Sequence, residues 1–150
     1  MYQERNEASK AGLDPKLICQ VDSGLVFLSN MQFLRGYCIL QADPVVESIN
    51  YLSPRQRSDF LCDMALVGDA IMEVTGAYRI NYALMGNSEP VLHAHIVPRY
   101  LNEPEELRKG LPWSYPNTYD NTAVFNLKRD QALIEQLCIS IKRRLKESAE

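Results

Sequence analysis

The sequence predicts an α+β domain built on a mainly antiparallel sheet. Three observations carry this. Two short apolar runs, 24–29 and 37–41, flank a connection of turn formers and can pair as a hairpin. A long stretch opening at Ser53 repeats apolar residues every three or four positions, as a helix does. A later run, 91–97, is rich in aliphatic and β-branched residues and holds both histidines of the chain, His93 and His95. Hairpins flanked by one long helix suggest this class.

At 150 residues the expectation is one domain spanning 1–150, with a polar lead-in over 1–13. An apolar fraction of 46% can support a core. The net charge is −3 and neither terminus carries a basic block, so a nucleic-acid surface is not indicated. No apolar run approaches the length that spans a membrane, and the polar start is not a secretory signal. A soluble, cytoplasmic protein is expected. The four cysteines, Cys19, Cys38, Cys62 and Cys138, stand among apolar neighbours without a Cys-x-x-Cys pair, which reads as reduced, buried thiols.

In chain order, 14–20 reads as a short lead-in with Ile18 and Cys19 inward. The strand 24–29 and the strand 37–41 are joined by 30–36, where Gly36 is free to take unusual backbone angles; Asp43 and Pro44 end the second strand. Ser53 can cap the helix, Pro54 suits its first position and Gln56 completes a capping box. Phe60, Leu61, Met64, Val67, Ile71 and Met72 form the apolar stripe, and Gly76 is the stop. A strand over 79–84 leads into a loop, 86–90.

In the histidine strand, alternation puts His93 and His95 on one face with Val91 and Val97, and Leu92, Ala94 and Ile96 on the core face. Pro98 should end the pairing. A long ordered loop follows over 100–116, with one helical turn at 104–108. Its Trp113 reads first as a plug over the open end of the sheet and second as a wall of a ligand pocket. A C-terminal helix spans about 128–148, where Leu133, Leu137, Ile141 and Leu145 recur every fourth residue and serve either this domain or another subunit.

Two aligned imidazoles admit three uses: a pair of metal ligands, a nucleophile with a helper, or an inert structural pair. The run 81–99 resembles the signature of the histidine-triad (HIT) family. That family carries Gly-Gln-Ser or similar, then His-x-His-x-His, then two aliphatics and often Pro-Arg. On this register His93 matches the middle histidine and His95 the third, while Val91 stands in place of the first. Gly36 and Tyr37 fall at the family's Gly-His, and Val46, Glu47, Ser48 and Ile49 at its Val-Glu-Ser-Leu. Tyr37 and Val45 thus replace two further histidines, which points to a divergent branch.

The resemblance implies the fold and the chemistry. In HIT proteins the middle histidine attacks the phosphorus next to the nucleoside, and water resolves the nucleotidyl-histidine. That role falls on His93, whose other ring proton would be held by a backbone carbonyl near Val91. Asn87 and Gly86 would hold phosphate, Ser88 would reach the leaving phosphate oxygen, and His95 would donate to the same phosphate. Asn30 would hold ribose, with Ser29 as the competing register.

The expected activity is a nucleotide-binding hydrolase or nucleotidyl transferase acting on a phosphoanhydride or phosphoramidate bond. The partner is a nucleotide or dinucleoside polyphosphate, and the protein is a homodimer. A non-catalytic HIT-like nucleotide-binding protein is the alternative, and a His-x-His metal site a more remote one. No Walker or Rossmann glycine pattern is present, and zinc would have to draw on carboxylates such as Glu89 or Glu103, so neither cofactor nor metal is expected.

Overall fold

A computed structural model describes residues 1–116, 118 and 123–149. Five strands, β1 (Leu17–Val21), β2 (Gly24–Leu28), β3 (Cys38–Ala42), β4 (Arg79–Ala83) and β5 (His93–Arg99), form one sheet in the order β1-β2-β3-β5-β4. Every neighbouring pair is antiparallel. Helices α1 (Tyr2–Lys10), α2 (Pro54–Thr75), α3 (Glu105–Arg108) and α4 (Leu127–Ser148) complete the fold. This is the α+β class that the sequence predicts.

Strand β1 replaces the expected lead-in over 14–20. Its pairing with β2 shifts register between Leu17 and Cys19, so Ile18 and Cys19 are both buried. That irregularity erases the two-residue alternation by which a strand is recognised. The turn into β2 passes closely over β3: a Cβ on Gly24 would lie 2.0 Å from the carbonyl oxygen of Gln41. Helix α1, inside the polar lead-in, was also unexpected. It has no apolar stripe and is tied down by hydrogen bonds, with buried Asn6 donating to the Ala42 carbonyl at 3.2 Å and accepting from Gln41 at 2.5 Å.

Helix α2 starts and stops where its residues dictate. Ser53 Oγ accepts from the Gln56 amide, Gln56 Oε1 accepts from the Ser53 amide, and Pro54 opens the helix. Gly76 closes it at φ 77°, in the left-handed region that glycine enters freely. The buried stripe is Phe60, Val67, Ala70 and Ile71, with Met64 partly buried. Leu61 and Met72 are instead 41% and 39% exposed, because each lies one residue, about 100°, around the helix from the buried row.

Helix α4 answers the question its stripe posed. Leu133, Leu137 and Ile141 are buried in the chain's own core, against α2 and β1. In the larger of two apolar clusters, Val26, Leu28, Cys38, Leu40, Ala94 and Ile96 from the sheet meet Phe60, Val67 and Ile71 of α2. Cys19 and Cys38 are buried thiols, but Cys62 sits on the exposed side of α2, contrary to expectation. Among the described residues no helix is long and apolar enough to cross a membrane.

Pro98 does not end its strand. The ladder between β3 and β5 closes at Cys38 and Ile96, so at Pro98 only the β4 side is paired, opposite Ile80. A missing amide is tolerated where one flank has no ladder. Arg99 then anchors the following loop. It is 2% exposed and bonds Glu103 at 3.0 Å, Asn81 at 2.9 Å, and the carbonyls of Leu107 and Gly110 at 2.6 and 2.7 Å. Removing one partner of such a buried pair costs about 3–5 kcal/mol. The expected turn at 104–108 is α3.

Candidate functional site

Helices α2 and α4 cover one face of the sheet, and both histidines stand on the other. His93 lies opposite Gln41, and His95 opposite Ile39 on one side and Ala83 on the other. Alternation along β5 sends Leu92, Ala94 and Ile96 into the helix-covered core and Val97 into a second apolar cluster with Leu34 and Tyr37. The two rings are half-buried, with centroids 4.9 Å apart.

Their hydrogen bonds differ in kind. His93 Nδ1 lies 2.7 Å from the Val91 carbonyl oxygen, the acceptor sought from the sequence. A carbonyl only accepts, so Nδ1 carries the proton, and in the neutral ring Nε2 keeps the lone pair. Val91 itself is buried and apolar, and contributes through its main chain. His95 Nδ1 lies 2.6 Å from the hydroxyl of Tyr37, a fully buried side chain. Burial, and secondarily the neighbouring His93, push the His95 pKa down from 6.5 to about 4, so this imidazole is neutral near neutral pH.

Trp113 meets His95 edge-on at 5.4 Å and belongs to the apolar cluster over that end of the sheet. That is the plug reading; among the described residues, the lining of the cavity beside His93 does not include Trp113. Tyr37 was not assigned to the site from the sequence, which reads Trp113 first as a plug and only second as a pocket wall. For Tyr37 the available signal was its place at the family's Gly-His.

Before β5, the loop from β4 shapes a cavity of about 350 Å³ whose lining includes Glu47, Asn50, Gly86, Asn87, Pro90 and His93. Gly86 holds φ at 67°, a backbone that side-chain-bearing residues rarely adopt. Asn87 and Ser88 are both exposed. Among the described residues, the cavity lining includes neither Ser88, His95 nor Asn30. Asn30 lies exposed just beyond β2, its carbonyl accepting from the Phe125 amide at 2.8 Å. Ser29, the competing register, is buried and its hydroxyl accepts from the Met31 amide.

Val45 donates its amide to Gln3 Oε1 at 2.9 Å. Glu103, a carboxylate that zinc could have recruited, is held by Arg99, the Tyr100 amide and the Tyr115 hydroxyl instead. Among the described residues no three His, Cys, Asp or Glu side chains converge.

The architecture is the histidine-triad fold. A histidine triad protein from Marinobacter aquaeolei superposes with a TM-score of 0.69 at 20% identity, over 93% of this chain and 94% of that one. A hypothetical histidine triad nucleotide-binding protein from Sulfolobus tokodaii gives 0.68 at 15% identity, over 91% and 90%. The diadenosine triphosphate hydrolase of Plasmodium falciparum, solved with cyclomarin A, gives 0.55 at 15% identity, over 89% and 78%. No family model matches the chain. No curated protein sequence matches it.

Proposed function

We propose that this chain is a divergent histidine-triad protein. It binds a nucleotide and cleaves it at the nucleoside-proximal phosphorus through a covalent nucleotidyl-His93. The observation that carries the reading is the 2.7 Å hydrogen bond from His93 Nδ1 to the Val91 carbonyl, which leaves Nε2 with its lone pair. Losing the first triad side chain to Val91 does not touch this device, because valine's carbonyl accepts as well as histidine's.

The Nε2 lone pair forms the N–P bond, and the P–O or P–N bond to the leaving group breaks with its electron pair. The leaving group takes a proton from Ser88 or from water. Water then attacks the same phosphorus and the N–P bond breaks, its electron pair returning to Nε2. The proton lost by the water goes to Ser88, where Ser88 gave one, or to solvent, so that free nucleotide and neutral His93 are restored. Asn87, the Gly86 main chain and His95 stabilise the phosphoryl oxygens as charge develops, and Asn30 holds ribose. An anhydride, a phosphoramidate or another nucleotide conjugate presents the same phosphorus to His93.

The test is a panel of dinucleoside polyphosphates and nucleoside phosphoramidates, with mass detection of the protein. A nucleotidyl mass on His93 and release of nucleoside monophosphate are expected. Nucleotide bound without turnover or adduct would make the protein a binding module instead. The homodimer belongs to the same proposal. The apolar stripe of α4 is used inside the chain, so the surface we assign to pairing is edge strand β4 with its exposed Tyr82 and, just beyond the strand, Leu84 and Met85. Sedimentation showing only monomer at micromolar concentration would refute the dimer.

A further inference from the structure

A neutral imidazole has one N–H and one lone pair, so each histidine of the site works in only one of its two tautomers. For His93 the Val91 carbonyl decides. For His95 the partner is a phenol, which both donates and accepts, and the decision needs another argument. The phenolic O–H is a stronger donor than an imidazole N–H, and the imidazole nitrogen a stronger acceptor than a phenolic oxygen. The stronger donor pairs with the stronger acceptor. The separation agrees: at 2.6 Å it is shorter than the usual N–H···O range of about 2.7–3.2 Å and suits a hydroxyl donor.

We propose that Tyr37 is the positioning residue that sets the tautomer of His95. Its phenolic proton goes to Nδ1, so that Nε2 carries the hydrogen offered to the substrate's phosphoryl oxygen. The reverse tautomer would present a lone pair to an anionic oxygen. The two histidines then work as opposites, Nε2 of His93 bare and Nε2 of His95 protonated.

Tyr37 is built to hold this position. It has no exposed surface, and its carbonyl accepts from the Ser29 amide and from Gln32 Nε2, both at 2.9 Å. Its amide donates to the Leu34 carbonyl at 3.1 Å. Trp113 also stands edge-on to His95 and limits the ring's freedom to turn. With burial keeping His95 neutral, its tautomer becomes the variable that matters. The assignment of a substrate to Nε2 rests on the nucleotidyl-transfer reading above.

Nitrogen-15 NMR of the imidazoles tests the tautomer without any substrate. The chain has two histidines, so the four ring nitrogens can be assigned with a His93→Ala variant. The parent protein is expected to show the proton on Nδ1 of His93 and on Nε2 of His95. In Tyr37→Phe, His95 should become a mixture while His93 is unchanged. A parent His95 protonated on Nδ1, or a Tyr37→Phe pattern identical to the parent's, would overturn the proposal. Should the variant not fold, the parent spectrum still decides.

Kinetics supply the second readout. Tyr37→Phe should lower kcat about tenfold with KM little changed, less than full loss of a transition-state donor. In a His95→Ala background it should cost nothing further. An equal loss in both backgrounds would mean a merely structural tyrosine and overturn the assignment. A correct tautomer pattern in a protein that turns over no nucleotide would refute the hydrolase reading and leave Tyr37's role standing.

Discussion

The two faces of the sheet are made from the same strands and obey different rules. On the helix side, Leu137, Ile141, Val67 and Ile71 meet Leu40, Ala94 and Ile96 in one apolar cluster. There each residue counts by its volume. On the histidine side, His93, His95, Tyr37 and Gln41 are fixed by hydrogen bonds, two of them to partners from distant segments. There each residue counts by which atom holds a proton. One strand serves both, because alternate side chains of β5 belong to different faces. Stability and chemistry should therefore separate at one-residue spacing.

The largest expected effect tests the chemical face. His93→Ala should lower turnover by several orders of magnitude while nucleotide still binds, since covalent catalysis has no substitute for its nucleophile and binding uses many contacts. Steady-state rates and calorimetric binding check this, and a variant as active as the parent would end the assignment. His95→Ala should be milder, a loss of about a hundredfold to a thousandfold in kcat, because it removes one donor. Equal losses in both variants, accompanied by unfolding, would make the histidines a structural pair.

The packing face is tested by Leu137→Ala, which empties a fully buried site and should cost about 2–5 kcal/mol in denaturant unfolding. Activity per folded molecule should hold. A specific loss of turnover would break the separation of faces.

A smaller effect joins the two faces through pH. Between 6.5 and about 4 the unfolded chain protonates His95 while the folded chain keeps it neutral. The unfolded state binds more protons there, so stability falls as pH falls through this window and is fully present above it. The carboxylates act lower. Glu103 and Asp130 face the cost of burial, but hydrogen bonds to each outweigh it and hold both below their ordinary values of 4.5 and 3.8. Urea midpoints at about pH 7 and about pH 5 should differ, and the difference should shrink in His95→Gln. The smallest effect is Ser53→Ala, about 1 kcal/mol for a lost helix cap, with no change in kcat.

What could be read in advance follows the same division. Ser53, Pro54, Gln56 and Gly76 act within a few residues of themselves, so α2 was legible end to end. The alternation around His93 and His95 was legible for the same reason. Strand β1 was not, because its bulge places Ile18 and Cys19 on one side. The ends of the ladder at Pro98 depend on where β3 stops, which the residues near Pro98 do not encode. Tyr37 and His95 are 58 positions apart, and only the fold brings them together. Gly86, Asn87 and His93 share a cavity, while Asn30 and Ser88 lie outside its lining.

Helix α1 has a consequence for how the molecule breathes. Gln3, Asn6 and Lys10 fasten it to Asp43, Ala42 and Gln41, and none of its residues belongs to either apolar cluster. A segment attached in this way can lift off while exposing little oil-like surface, so its departure should carry almost no heat-capacity change. It is a latch whose strength is set by water's competition for a few amides rather than by temperature. Hydrogen exchange should find its amides opening at free energies well below that of the β5 strand, and with them the flank of the sheet where Gln41 faces His93.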